Sequence, residues 1–346
     1  MKETKSKKVI VAMSGGVDSS VAAALLKKAS FDVIGIHMKF WAESDGKANR
    51  CCTVESEKMA RLVAKKIGIP FYVLNLKKEF KKFVVDYFIS ASKQGLTPNP
   101  CVACNKEIKF GLLLKKARAL GADFIATGHY AIVEDGKLFK GSDEHKDQSY
   151  FLWRLNKDIL KHVIFPIGGY MKEEVRVLAK EFKLPTANTP ESQEVCFVSG
   201  TVGDFLNKYI KIEPGKIVDT KRDKIGEHDG LSSYTMGQRK GIGLPGGPYF
   251  VLRKDLKKNE LIVTKNEKDL FSRELSIKNV NWLDNVKLPT RVTAKVRYGS
   301  KGSLATVKKE SGKIMVIFSK PQRAITPGQS VVFYKGKQLI GGGIIV

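Results

Sequence analysis

The string Ser14-Gly-Gly-Val-Asp-Ser-Ser20 lies between a continuous apolar run, Val9-Ile-Val-Ala-Met13, and a segment from Val21 to Lys28 that reads as a helix. A short apolar run without alternation fits a strand buried on both faces of a parallel sheet. Two glycines at its end let the backbone turn tightly and approach an anion. A helix N-terminus directly behind such a turn presents N–H groups, and the serines add hydroxyl donors. Strand, glycine turn and helix in this order describe a loop that cradles phosphate. The loop has neither the lysine of a Walker A motif nor a Gly-x-Gly-x-x-Gly spacing. A glycine pair alone would serve only the turn, so the nucleotide reading rests on the whole string.

Strand and helix signals then alternate over the first 200 residues, as in a parallel sheet covered on both faces. Strands are expected at Val33–Met38, Phe71–Leu76 and Phe124–Thr127, with helices at Thr53–Ile67, Glu79–Ser92 and from about Asn105 to Leu120. Asp135-Gly136 is a hairpin signal. Residues 213–250 are rich in Gly and Pro, and from about 275 the chain is strand-like. Arg291 to Tyr298 alternates, placing Arg291, Lys295 and Arg297 on one face and Val292, Ala294 and Val296 on the other. The expected division is an α/β parallel-sheet domain at 1–200, a small β-rich domain at 201–272 and a β-barrel at 273–346.

A length of 346 residues suits two or three domains, and 42% hydrophobic with 28% charged residues is globular. No stretch approaches the roughly 20 apolar residues of a membrane helix. The charged start Met1–Lys8 has no apolar signal core, and five cysteines are too few for a disulfide scaffold. Those features point to the cytoplasm. Net charge is +26, distributed as +3 over 1–60, +10 over 61–120, zero over 121–240 and +13 over 241–346. Two basic zones around a neutral middle suit a protein that grips an extended polyanion, although solvated lysine faces would give the same count.

The string at 14–20 resembles the PP-loop of the ATP pyrophosphatases, whose domain is of the adenine nucleotide alpha hydrolase type. Asn99-Pro-Cys-Val-Ala-Cys-Asn-Lys-Glu-Ile-Lys-Phe110, Ala126-Thr-Gly-His-Tyr-Ala131, Lys146-Asp-Gln-Ser-Tyr-Phe-Leu152, Ser192-Gln-Glu-Val-Cys-Phe197 and Tyr234-Thr-Met-Gly-Gln-Arg-Lys-Gly241 follow in order. Together these motifs resemble the tRNA-specific 2-thiouridylases. The resemblance runs from Val9 to the final strands.

It implies an enzyme that adenylates the C2 oxygen of the wobble uridine in a tRNA anticodon loop and puts sulfur in its place. Ala12, Met13, Ser14, Gly15, Gly16, Val17, Asp18 and Ser19 would hold ATP, Asp18 helping to place Mg²⁺, and Met38 and Gly128 would touch the adenine. Cys104 and Cys196 match the two catalytic cysteines, Cys196 carrying a persulfide and Cys104 releasing its sulfur, with a Cys104–Cys196 disulfide as one outcome. Cys104 is expected to open its helix, beside Lys106 and Lys109. Asn99, Pro100, Cys101, His129, Lys146, Asp147, Gln148, Arg297, Tyr298 and Gln329 match tRNA-contacting positions. Taken alone, Met38 reads as a strand-end core residue and His129 as a structural histidine. Cys51 and Cys52 read as structural. The implied partners are tRNA and a sulfur donor, either a protein or sulfide.

Many members have Asn-Pro-Asp-x-x-Cys where this chain has Asn99-Pro-Cys101-x-x-Cys104. The change creates a Cys-x-x-Cys pair with a distant Cys196, similar to tRNA-thiolating PP-loop enzymes that hold a [4Fe–4S] cluster on three cysteines. Persulfide relay and cluster both stay open on sequence. Two other functions do so as well: an AMP-forming PP-loop synthetase for a small molecule, and a non-catalytic RNA-binding protein.

Overall fold

The computed structural model describes residues 6–43, 53–190 and 195–346. Cys51, Cys52 and the start of the Ser192–Phe197 motif lie outside the described residues. Among the described residues no helix is long and apolar enough to cross a membrane.

The N-terminal strands β1 (Lys8–Ala12), β2 (Asp32–Lys39), β3 (Phe71–Asn75) and β4 (Phe124–Ala126) are joined further along by β5 (Ala131–Glu134), β6 (Lys137–Lys140) and β7 (Val163–Ile164). A parallel sheet runs in the order β3-β2-β1-β4-β7. The alternation of Val9, Ile10 and Val11 supplies both of its faces. Val9 and Val11 pack with Val21, Ala22, Val63 and Val175, while Ile10 joins Leu76, Phe80, Ile108 and Leu113 on the other side. Helix α1 (Val17–Lys28) begins directly after the Ser14–Gly16 turn, earlier than the expected Val21. Helix α2 (Val54–Ile67) is capped by Thr53, whose side chain accepts from Ser56 N, and it stops at Gly68 in the left-handed region, where the missing Cβ removes the strain.

The order of strand addition reverses between β1 and β4, since the chain winds outward through β2 and β3 before returning to lay β4 parallel to β1 on its other side. Ligands of open α/β sheets bind in the crevice at the carboxyl ends of strands at such a switch point. The Ser14–Ser20 loop leaves β1 there, and Thr127-Gly128-His129 leaves β4.

A second sheet is formed by β8 (Gly215–Val218), β9 (Lys224–His228), β10 (Phe250–Asp255) and β11 (Glu260–Thr264) in the order β10-β11-β8-β9, over a small core of Ile217, Val251, Leu261 and Val263. The last six strands are β12 (Phe271–Trp282), β13 (Thr290–Lys295), β14 (Ser303–Glu310), β15 (Lys313–Arg323), β16 (Ser330–Lys335) and β17 (Gln338–Ile345). They run β12-β15-β14-β13-β16-β17, and pairing of β12 with β17 closes the barrel. Arg291 is exposed and Val292 and Ala294 are buried, as the alternation predicts. The strand ends at Lys295, however, so Arg297 and Tyr298 lie in the turn beyond it.

The Asp135-Gly136 signal does make a hairpin, β5–β6. Its second strand also pairs with β17, which extends the barrel sheet into the N-terminal domain. The seam is further fastened by buried polar groups. Tyr150 donates to Ser330 O at 2.8 Å, Trp153 Nε1 donates to Ser330 Oγ at 3.0 Å, and Asn281 Nδ2 donates to Trp153 O and Leu155 O at 2.7 Å each.

Candidate active site

Gly15 sits at φ +84°, a conformation open to glycine, and a Cβ there would collide with the backbone of Ser56 at the start of α2. The loop is braced from inside. Ser19 Oγ donates to Gly16 O at 3.1 Å and lies 3.2 Å from both Ser14 N and Ser14 Oγ, and Ser20 Oγ donates to Gly16 O at 2.8 Å. Gly16 caps α1 without a side-chain bond, so the first N–H groups of the helix are left to a ligand. Met13 is held from β2: its N–H donates to Ile36 O, and His37 Nδ1 lies 2.9 Å from its carbonyl. Burial lowers the pKa of His37, which keeps the ring neutral.

From the β4 side, Gly128 presses on the loop so closely that a Cβ would lie 2.6 Å from Ser19 N and 2.7 Å from the Asp18 carbonyl carbon. Tyr130 donates its hydroxyl to Asp18 Oδ1 at 2.8 Å, and Lys172 Nζ reaches the same oxygen at 2.7 Å. Tyr130 and Lys172 were not anticipated from sequence. The partner residues stand 112 and 154 positions from Asp18, and no local pattern reports a pair so far apart. Met38, at the end of β2, is 8% exposed and packs in the core beneath this crevice.

The Asn99 side chain accepts from Cys101 N at 3.1 Å and Val102 N at 3.3 Å, and Pro100 takes the first helical position. The helix therefore begins at Pro100, not near Asn105, and Cys104 lies one turn inside it instead of opening it. The Asn-Pro pair is an N-cap followed by an N1 proline, a signal legible in the sequence. Hydrogen bonding widens to the π pattern over Cys104–Leu112, a distortion that recurs at functional sites. Cys101 is exposed, Cys104 buried and Cys196 half-buried. Cys104 belongs to the apolar cluster of Phe80, Phe88, Phe197 and Phe205, against which Cys196 also packs. The two catalytic candidates thus share one cluster, while Cys101 lies at the surface. Among the described residues no three His, Cys, Asp or Glu side chains are gathered to hold a metal ion. In this conformation the exposed Cys101 and the buried Cys104 face different surroundings.

The loop that leads into Asn99 is docked on the barrel. Thr97 N donates to Pro327 O, Gln329 Nε2 donates to Thr97 O at 2.9 Å, and Gly328 abuts Leu96 and Thr97. Tyr298 lies tilted against Phe151 with ring centroids 4.5 Å apart and the ring planes 34° from parallel, and Arg297 is exposed next to it. Lys146 is partly exposed. Gln148 Oε1 accepts from Tyr130 N at 3.1 Å. Asp147 is buried, its Oδ1 accepting from Gly141 N and Ser149 N. His129 is buried between Phe110 and Phe165, with Nδ1 2.6 Å from Thr127 Oγ1, and burial drives its pKa well down. In this conformation neither the Asp147 nor the His129 side chain is offered to a macromolecule.

A profile described as tRNA methyl transferase HUP domain matches residues 7–200, one described as tRNA methyl transferase PRC-barrel domain matches 203–265, and one described as aminomethyltransferase beta-barrel domain matches 272–345. The chain is 46% identical over 356 residues to the tRNA-specific 2-thiouridylase MnmA of Acetivibrio thermocellus, covering 98% of this chain and 99% of that one. It is 47% identical over 355 residues to the protein of the same name in Clostridioides difficile, covering 98% of each. Among solved structures, it resembles a 4-thiouridine synthetase–RNA complex with bound ATP at a TM-score of 0.36 and 18% identity, over 58% of this chain and 50% of the other.

Proposed function

Because this chain belongs to the tRNA-specific 2-thiouridylases, a family of tRNA-uridine sulfurtransferases that use ATP, we propose that it activates the C2 oxygen of the wobble uridine by adenylation and replaces it with sulfur carried on Cys196. The observation that carries this reading is the Ser14–Ser20 loop at the switch point of the sheet, closed from the β4 side by Gly128. Its N–H groups suit the triphosphate, and Met38 and Gly128 border the space for adenine. Asp18 is the carboxylate there that would hold Mg²⁺, a hard cation that takes oxygen ligands and supplies charge neutralisation on the phosphates.

In the first step the uridine oxygen attacks the α-phosphorus of ATP, and pyrophosphate leaves. The anticodon base must first be splayed from its neighbours, which suits the surface built from Asn99 and Cys101 with Arg297, Tyr298 and Gln329 of the barrel, while Pro100 is buried beneath it and sets the start of the helix. Lys146 extends that surface, and Asp147 and Gln148 shape the turn behind it. The terminal sulfur of a Cys196 persulfide then attacks C2, and AMP departs with the original oxygen. The Cys104 thiolate attacks the Cys196 sulfur, the sulfur–sulfur bond breaks, sulfur stays on the uridine and a Cys104–Cys196 disulfide forms. Where a thiol reductant restores both cysteines, the persulfide of a sulfur-donor protein passes its outer sulfur to the Cys196 thiolate and the donor thiol leaves. Sulfide instead attacks the Cys104–Cys196 disulfide at Cys196, which gives the Cys196 persulfide and frees the Cys104 thiolate. Since Cys104 is buried, the segment around Cys196 has to move for these steps. No step runs through an iron–sulfur cluster. The working location would be the cytoplasm, where tRNA and thiol reductants meet.

The test is pyrophosphate release from ATP with and without tRNA. Release that depends on tRNA is expected. Release that ignores tRNA would indicate a small-molecule synthetase, and no release would indicate an RNA-binding protein.

A further inference from the structure

The thiol of Cys101 has no part in the sulfur transfer described above. Cys104 is buried in the apolar cluster against which Cys196 packs, so a disulfide between them forms among aromatic side chains, out of reach of a protein-sized reductant. Cys101 stands three residues before Cys104 and is exposed. The backbone brings these two side chains together. The Cys104 N–H donates to Cys101 O as well as to Pro100 O. A bond across three residues is the 3₁₀ pattern, in which the side chains at i and i+3 eclipse. The same turn is fixed from its start, because Asn99 Oδ1 accepts from Cys101 N at 3.1 Å.

We propose that Cys101 is the resolving thiol of this enzyme, which carries the oxidation left by each turnover from the buried cysteine pair to the surface. The proposal rests on the persulfide reading of Cys196. The Cys101 thiolate attacks Cys104 Sγ in the Cys104–Cys196 disulfide. That bond breaks, Cys196 departs as a thiolate ready for the next sulfur, and a Cys101–Cys104 disulfide remains. A dithiol reductant then attacks Cys101 Sγ. Its two electrons and two protons restore both cysteines as thiols, and it leaves as a disulfide. On a regular helix the Cβ atoms of residues i and i+3 lie about 5–6 Å apart, against roughly 3.5–4.5 Å across a disulfide. The turn therefore closes by about 1–2 Å, a change in the direction that its 3₁₀ bond already takes. The difference in exposure is what makes the exchange useful: the inner sulfur meets Cys196, and the outer one meets the reductant.

The competing role is that of a surface residue beside the tRNA, with no part in the redox cycle. A single turnover separates the two. The full chain is loaded by a persulfidated sulfur-donor protein, freed of donor and reductant under anaerobic conditions, and given ATP, Mg²⁺ and unmodified tRNA. It is then quenched with iodoacetamide, digested without reduction and analysed by mass spectrometry. In the wild type, Cys101 and Cys104 should emerge as an unalkylated, disulfide-bonded pair within one peptide, with Cys196 alkylated. In Cys101→Ser, which changes an exposed side chain, the same amount of 2-thiouridine should form and the disulfide should be Cys104–Cys196. Repeated turnover driven by a protein dithiol should continue in the wild type and stop after the first cycle in Cys101→Ser. A small reductant that enters the cluster should restore the variant. A wild type that ends as Cys104–Cys196 with Cys101 alkylated overturns the proposal, as does a Cys101→Ser variant that turns over at the wild-type rate with the protein dithiol. A wild type that makes 2-thiouridine with no disulfide among the three cysteines overturns the persulfide reading itself, and the proposal falls with it.

Discussion

Replacing Gly128 by alanine adds one methyl group at the point where β4 meets the phosphate loop. That Cβ would stand 2.6 Å from Ser19 N and 2.7 Å from the Asp18 carbonyl carbon. Uncharged atoms of this size rest at about 3.5–4.0 Å, so loop and strand end must part by roughly 1 Å. Both neighbours are backbone, and neither can rotate away as a side chain would. The strain on folding is of the order of 1–3 kcal/mol. The functional cost is larger in ratio, because a reacting group misplaced by about 1 Å loses on the order of a hundredfold in rate. Gly128→Ala should therefore cut tRNA-dependent pyrophosphate release by about that factor, with a raised KM for ATP and an unchanged affinity for tRNA in a filter-binding assay. A variant that releases pyrophosphate at the wild-type rate with the wild-type KM for ATP would refute the placement of the nucleotide against Gly128.

Cys101 is exposed while Cys104 and Cys196 share one apolar cluster, so Cys101→Ser should keep substantial thiolation activity and Cys104→Ser and Cys196→Ser should abolish it. Equal loss in all three, together with iron and sulfide in anaerobically purified protein, would restore the cluster mechanism. Arg297→Ala should weaken tRNA binding and reduce the slope of log affinity against log salt by about one phosphate contact; an unchanged slope would remove Arg297 from the interface. Folding stability should decline with acid. Burial holds the folded-state pKa values of His37 and His129 below the unfolded value of 6.5, so the unfolded chain binds more protons. Their contribution is complete above about pH 6.5 and is lost as pH falls below it. Urea titrations at pH 7.5 and 5.5 check this, and a flat profile would contradict the burial of both rings.

Local chemistry made much of the architecture legible. The apolar run before Ser14, the Thr53 cap, Gly68 and the Asp135-Gly136 turn each act within a few residues, and each stands where local pattern puts it. Asn99-Pro100 carried an equally clear start signal, and the first helical turn there was missed because Cys101 to Cys104 gives no periodic apolar face. The alternation around Arg297 outran its strand for a different reason: alternating residues can continue through a turn after the ladder bonds have ended at Lys295. What no local pattern carries is long-range pairing. The Lys172–Asp18 pair, the joining of β6 to β17 and the docking of Thr97 on Gln329 all depend on how distant segments meet. Burial of His129 and Asp147 belongs to the same class, since polar residues in a tRNA-facing motif read as surface until their partners are known.

The account stands or falls on the fate of the uridine. Unmodified tRNA is incubated with the protein, ATP, Mg²⁺, a persulfidated sulfur-donor protein and a thiol reductant, then digested to nucleosides and analysed by mass spectrometry alongside the pyrophosphate released. Expected is 2-thiouridine at the wobble position, appearing in equal amount with pyrophosphate and AMP, and absent when ATP or Cys196 is removed. Pyrophosphate released without sulfur in the tRNA, or 2-thiouridine formed without ATP, would contradict it.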